Sequence, residues 1–156
     1  MAVKIIEGKP EGSKFKVAIV ISRFNDLIGQ RLLQGALTTL EAHGVLENHI
    51  EVAWVPGAWE IPVVALKMAE TEKFDGILTL GAVIQGETSH HEYIANEVAA
   101  ALGRLTDKLG LPVAFGLLTT ASLDQALARA GEASDNKGAE AALHLIETLN
   151  VLHQIH

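Results

Sequence analysis

Four short apolar runs, Val17 to Ile21, Ile50 to Val55, Ile77 to Val83 and Val113 to Leu118, alternate along the chain with longer segments whose apolar residues recur at helical spacing. That alternation predicts βα units built around a parallel sheet. The stripe Ile28, Leu32, Leu33, Ala36, Leu37 and Leu40 makes the first helix, with Asp26 expected as its N-cap and Gly44 as its stop. Pro62 sits near the start of a second helix, where its missing N–H costs little. Ile94, Val98, Leu102, Leu105 and Leu109 mark a third, and Ser122 with Gln125 three residues on reads as a capping box for a fourth. A last helix is expected to carry Ala142, Leu145, Leu149 and Leu152 on one face.

Short right-handed crossovers between such units give a three-layer αβα sandwich, flavodoxin-like, on a four-stranded parallel sheet. The N-terminal segment offers a further edge strand. No linker, internal repeat or low-complexity tract divides the 156 residues, so one domain spanning 1–156 is expected.

Composition narrows the function. The hydrophobic fraction is 49% and the mean hydropathy +0.26, yet no apolar run approaches the roughly 18 residues of a membrane span. The surplus apolar surface points instead to contacts between subunits. A net charge of −7 without a clustered Lys/Arg stripe offers nothing to a nucleic-acid backbone. The absence of cysteine removes disulfides, thiolate metal sites and Cys nucleophiles. Met1 to Gly8 has neither the basic nor the apolar region of a secretory signal, and a cytoplasmic protein is expected. Gly8 to Lys14 has the wrong spacing for a phosphate loop and precedes a strand, so it reads as a turn.

The chemistry concentrates at residues 81 to 93, Gly-Ala-Val-Ile-Gln-Gly-Glu-Thr-Ser-His-His-Glu-Tyr, between the third strand and the third helix. A loop there presents backbone N–H groups and a helix N-terminus to an anion, and His90 and His91 bring groups that exchange protons near neutral pH. A metal reading of His90-His91-Glu92 fails on spacing. Adjacent helical residues diverge by roughly 100°, and a His-Glu-x-x-His site needs a histidine where Ala95 stands. No metal site is expected.

Gly-x-Val-Ile-x-Gly-x-Thr-x-His at 81–90 resembles the signature loop of the 6,7-dimethyl-8-ribityllumazine synthase family. The resemblance extends in order through Arg23-Phe24-Asn25, Val55-Pro56-Gly57-Ala58-Trp59-Glu60-Ile61-Pro62, Phe115-Gly116 with Thr119-Thr120, Gln125-Ala126 with Arg129-Ala130-Gly131, and Asn136-Lys137-Gly138. It implies condensation of 5-amino-6-(D-ribitylamino)uracil with 3,4-dihydroxy-2-butanone 4-phosphate to a lumazine, without a cofactor, in riboflavin biosynthesis. It also implies a homo-oligomer built on pentamers, with sites between adjacent subunits, and association with a riboflavin synthase.

The same resemblance distributes roles. His90 becomes the proton-transfer residue, where a lone histidine would read as a helix-start residue, and an imidazole, which can both give and take a proton, suits that work. Phe24 stacks on the pyrimidine, where its bland alternative is a core plug. Ala58, Trp59 and Glu60 hold the ribityl-aminopyrimidine with Ala82, Val83 and Ile84, and Phe115 and Lys137 complete that subsite. Arg129, otherwise explained as a favourable cation at a helix end, joins Thr88 and the Glu87 backbone around the phosphate. His91 stands where Phe or Tyr is usual and reads as a pocket wall.

Three departures make the phosphate side less positive than the family pattern: Gln85 at a commonly basic position, Glu87, and Glu132-Ala133 after Ala130-Gly131. Weaker phosphate binding, with activity retained, is the expectation. Two other classes stay open at the level of sequence. A flavodoxin-like receiver would want acidic residues at strand ends, and residues 22 to 25 are Ser, Arg, Phe and Asn. A non-catalytic shell or flavin-binding protein of the same fold fits the sequence as well.

Overall fold

The computed structural model describes residues 2–23 and 25–155. Its sheet has four parallel strands, β1 (Val17–Ser22), β2 (Ile50–Val55), β3 (Gly76–Ile84) and β4 (Val113–Thr120), in the order β2-β1-β3-β4. That order is the doubly wound one, with its reversal between β1 and β3. Every residue of β1 is buried, as are the first eight of β3, because helices cover both faces of the sheet.

Among the described residues five helices supply those covers: α1 (Asp26–Ala42), α2 (Ile61–Glu70), α3 (His90–Leu109), α4 (Leu123–Ala128) and α5 (Lys137–Gln154). The side chains of β1 and β3 alternate between two cores. Val17, Ile19, Ile21, Leu78 and Leu80 pack with Ala36 and Leu40 of α1 and Ala142, Leu145, Ile146 and Leu149 of α5. Ala18, Val20, Ile77 and Val83 pack on the other face with Ile61 and Ala65 of α2 and Val98, Leu102 and Leu105 of α3. A smaller cluster of Ile28, Leu32, Ala82, Leu118, Ala126 and Ala130 seats α4. The three-layer αβα sandwich read from the sequence is the fold observed.

Local details correct the sequence reading at several points. The α1 cap is Asn25, whose Oδ1 accepts from Ile28 N at 3.3 Å, and Asp26 is the first helical residue. Asn25 adopts φ 58°, a left-handed conformation that asparagine tolerates. Ser122 caps α4 by accepting from Gln125 N at 3.2 Å, but Gln125 Oε1 reaches past it to Ala121 N at 2.8 Å, so only half of a capping box forms. Leu152 is 44% exposed because α5 has run past the last strand residues that Leu145 and Leu149 cover.

Among the described residues no N-terminal edge strand forms. Residues 2–9 carry no regular structure, and their carbonyls are drawn to the end of α5. Asn150 Nδ2 donates to Lys9 O and Glu11 O, and Gln154 Nε2 donates to Glu7 O at 2.7 Å. Among the described residues no helix is long and apolar enough to cross a membrane.

Candidate active site

Parallel strands all point the same way, so the segments that leave their carboxyl ends gather at one rim of the sheet. Two of them enclose a cavity of about 350 Å³. After β2, Pro56-Gly57 turns the chain into a 3-10 turn, Ala58–Glu60, which runs into α2 with Pro62 in its first turn. Ala58 is buried at 6% exposure and anchors the turn on the α2/α3 core, while Trp59 is 58% exposed at the rim. Glu60 N donates to Gly57 O at 3.2 Å, which fixes the carboxylate's residue beside the cavity mouth.

The opposite wall comes from β3. Ala82, Val83 and Ile84 line the cavity as the strand ends, and Gln85 N donates to Thr120 O at 2.9 Å, which holds the departing chain against β4. Gly86, Thr88, His90 and His91 continue the wall into the first turn of α3. Ser89 provides no side-chain cap there; Thr88 Oγ1 accepts from His90 N at 3.3 Å instead. The loop hydroxyl thereby orients the start of the helix that carries His90.

Eight of the sequence-expected positions therefore meet at one cavity: Ala58, Trp59, Glu60, Ala82, Val83, Ile84, Thr88 and His90. Glu87 lies on the exposed loop beside it but does not line it. Phe24 lies outside the described residues. His91 and Ile94 also line the cavity, and His91 Nδ1 is buried with no hydrogen-bond partner among the described residues. Among the described residues no lysine or arginine lines it.

The remaining positions lie elsewhere on the subunit. Arg129 follows α4 as its C-cap, and Lys137 opens α5; both line a separate groove of about 740 Å³ between α1, β4 and α5. Arg129 Nη1 donates to Gln125 O at 3.3 Å, and Lys137 Nζ lies 3.8 Å from Glu140 Oε1. Phe115, 39% exposed in β4, lines a third hollow of about 230 Å³ with Thr106, His144 and Thr148. Sequence reasoning gave Asn136 only as part of a motif. The structure makes it the buried N-cap of α5, with its carboxamide bonded to α1 and to the loop between Arg129 and Lys137.

Among the described residues no group of three or more His, Asp or Glu side chains is arranged to hold a metal ion. What the cavity offers is a mostly apolar lining interrupted by the Glu60 carboxylate, the Thr88 hydroxyl and the imidazoles of His90 and His91. That suits a flat heterocycle with a polar tail beside a group undergoing proton transfer. A sequence model of the family described as 6,7-dimethyl-8-ribityllumazine synthase matches residues 14–153 of the chain. The match runs from just before β1 to the last turn of α5, and the chain belongs to the 6,7-dimethyl-8-ribityllumazine synthase family.

Proposed function

We propose that the protein condenses 5-amino-6-(D-ribitylamino)uracil with 3,4-dihydroxy-2-butanone 4-phosphate to give 6,7-dimethyl-8-ribityllumazine, phosphate and water. The observation that carries the reading is the convergence of the Ala58–Glu60 turn, the end of β3, Thr88 and His90 on one cavity at the carboxyl end of the sheet. Family membership places the chain in riboflavin biosynthesis at the level of the family; the two substrates are the finer step taken here.

The pyrimidine lies in the apolar slot against Ala82 to Ile84, with its ribityl hydroxyls toward Glu60 and the Ala58–Trp59 backbone. The 5-amino group attacks the butanone carbonyl, and water leaves as the imine forms. Phosphate then departs by elimination, and the ribityl-bearing nitrogen closes the ring onto the second carbonyl with loss of another water. Each step moves protons between nitrogen, carbon and oxygen, and none needs an oxidant or a cofactor. His90, at the start of α3, is the group positioned to carry them. The substrates supply nucleophile and electrophile, so holding them in register contributes much of the rate.

The phosphate needs cations, and among the described residues none lines the cavity. Arg129 and Lys137 line one groove of the same subunit and Phe115 another; in our reading a second copy brings them to the cavity, and Lys137, sharing its groove with Arg129, goes to the phosphate instead of the pyrimidine subsite that the resemblance gives it. The site is then shared between adjacent subunits of a ring. The test is to mix the two compounds with chelator-treated protein and follow the product's fluorescence. Turnover supports the assignment. A purified protein that holds a yellow ligand and forms no product at millimolar substrate shows a flavin binder of the same fold instead.

A further inference from the structure

We propose that Asn136 is a positioning residue whose carboxamide sets the spacing of Arg129 and Lys137. The inference rests on the reading above, in which those two cations face the phosphorylated substrate. Asn136 is 5% exposed, and its carboxamide is fully engaged. Oδ1 accepts from Ala139 N at 3.0 Å and so caps α5. One Nδ2 hydrogen goes to Arg31 O on α1 at 3.0 Å, and the other to Gly131 O in the preceding loop, also at 3.0 Å. A single side chain thereby ties three segments: the first helix, the loop after α4 and the start of α5.

The loop it ties is closed on itself. Ala130 and Asn136 form an isolated antiparallel bridge, Gly131 N donates to Asp135 O at 3.0 Å, and Lys137 N donates to Arg129 O at 2.8 Å. Arg129 and Lys137 are thus held backbone to backbone at the two ends of one loop, on the wall of one groove. Among the described residues neither side chain bonds to the other: exposed Arg129 donates to a helix-end carbonyl, and Lys137 pairs with Glu140 on its own helix. Two glycines make room for the carboxamide. A Cβ at Gly35 would overlap Asn136 Oδ1, and one at Gly138 would overlap Leu32 O and stand 3.0 Å from the same Oδ1. At these two glycines the α1 backbone comes close to the carboxamide and the α5 backbone close to Leu32 O of α1.

Asn136→Ser separates the two jobs. A serine keeps the cap but its hydroxyl is too short to serve Arg31 O and Gly131 O, so the loop is freed while the helix start is kept. The expected result is a rise of about tenfold in KM for the butanone phosphate, with the pyrimidine KM within about twofold and kcat little changed. Inorganic phosphate, titrated calorimetrically into the assembled protein, should weaken by the same factor. Gly35→Ala is the second variant: it leaves the carboxamide intact, favours α1, and displaces the carboxamide by the added Cβ. It should raise the same KM. Asn150→Ser is the control, because Asn150 is an equally buried carboxamide bonded to backbone carbonyls far from the cations. It should lower the melting temperature and leave phosphate affinity alone. If Asn136→Ser and Gly35→Ala leave phosphate affinity at the wild-type value, as Asn150→Ser should, or raise both substrate KM values equally, the inference is overturned. Should the wild type make no lumazine, the proposed function fails, and the phosphate titration still decides the role of Asn136.

Discussion

Ser22 Oγ, at the end of β1, occupies the position where a side chain on Gly81 of β3 would begin. The two strands are neighbours in the sheet, and the hydroxyl is fully buried without a partner among the described residues. Glycine at 81 is therefore demanded by a contact, in a backbone close to fully extended at φ 159°. Gly81→Ala should cost about 1–3 kcal/mol of stability through overpacking against Ser22 and Leu117 Cδ1, which lies 2.9 Å from the added carbon. Ser22→Ala should be neutral or stabilising by up to about 1 kcal/mol, because the hydroxyl makes no bond to lose. The double variant should recover part of the loss, the Ser22 Cβ at 3.2 Å still being close. Denaturant midpoints of the three variants check this, and strict additivity would mean the two residues do not interact.

The neighbouring histidines should behave differently. His90→Ala removes the group assigned to proton transfer and should lower kcat about a hundredfold while both substrates still bind. His91 lines the cavity with a buried Nδ1 that bonds nothing among the described residues, so a phenyl ring fills its place at no cost in hydrogen bonds. His91→Phe should keep kcat within about twofold and leave the protein as stable or slightly more so. Steady-state kinetics on both variants decides; equal damage from the two would move the chemistry to His91 or to neither.

Gln85 tests the idea that this chain's phosphate side is short of charge. Its backbone N–H is fixed on Thr120 O at 2.9 Å, and the residue stands between Ile84 and Gly86, both on the cavity wall. An arginine there would reach the mouth. Gln85→Arg should lower the butanone phosphate KM by about threefold, the effect of roughly 0.7 kcal/mol from a partly exposed charge, and leave the pyrimidine KM nearly unchanged. The gain should shrink as salt is added. An unchanged phosphate KM at low salt would put residue 85 outside the phosphate's field.

The strands and the helix layers on both faces were legible because buried runs such as Val17 to Ile21 and Ile77 to Val83 sit between helical periods; the order β2-β1-β3-β4 is set by pairings that the runs themselves do not encode. The cavity was legible for the same reason: its residues leave consecutive strand ends. Less visible were features set by contacts distant in sequence. The cap of α1 fell to Asn25 and not Asp26 because both are capping types and only the observed left-handed turn at 25 separates them. Asn136 carried no sign in sequence of its bond to Arg31 O, 105 residues away. The N-terminal segment, which the sequence offers as a further edge strand, has Val3 and Ile5 exposed at 68% and 71%, and within the described residues α5 side chains take up its carbonyls instead.

The division of cavity and cations within one subunit leads to the strongest test of the shared site. His90 lines the cavity at the end of β3, and Arg129 lines the groove between α1, β4 and α5. If one subunit supplies His90 and its neighbour Arg129, His90→Ala and Arg129→Ala proteins should each be nearly inactive as pure assemblies. Co-assembled from an equal mixture, a head-to-tail ring places an intact His90 beside an intact Arg129 at about one interface in four, whatever the ring's size. Activity should rise to about a quarter of the wild type. Were both residues to serve a site within one chain, every chain in the mixture would carry a lesion and activity would stay at the level of the single variants. Native mass spectrometry establishes first that mixed rings have formed. A double variant, His90→Ala with Arg129→Ala, mixed equally with wild type gives the comparison: its rings also hold about one intact interface in four when the site is shared, whereas half of all sites stay intact when it is not.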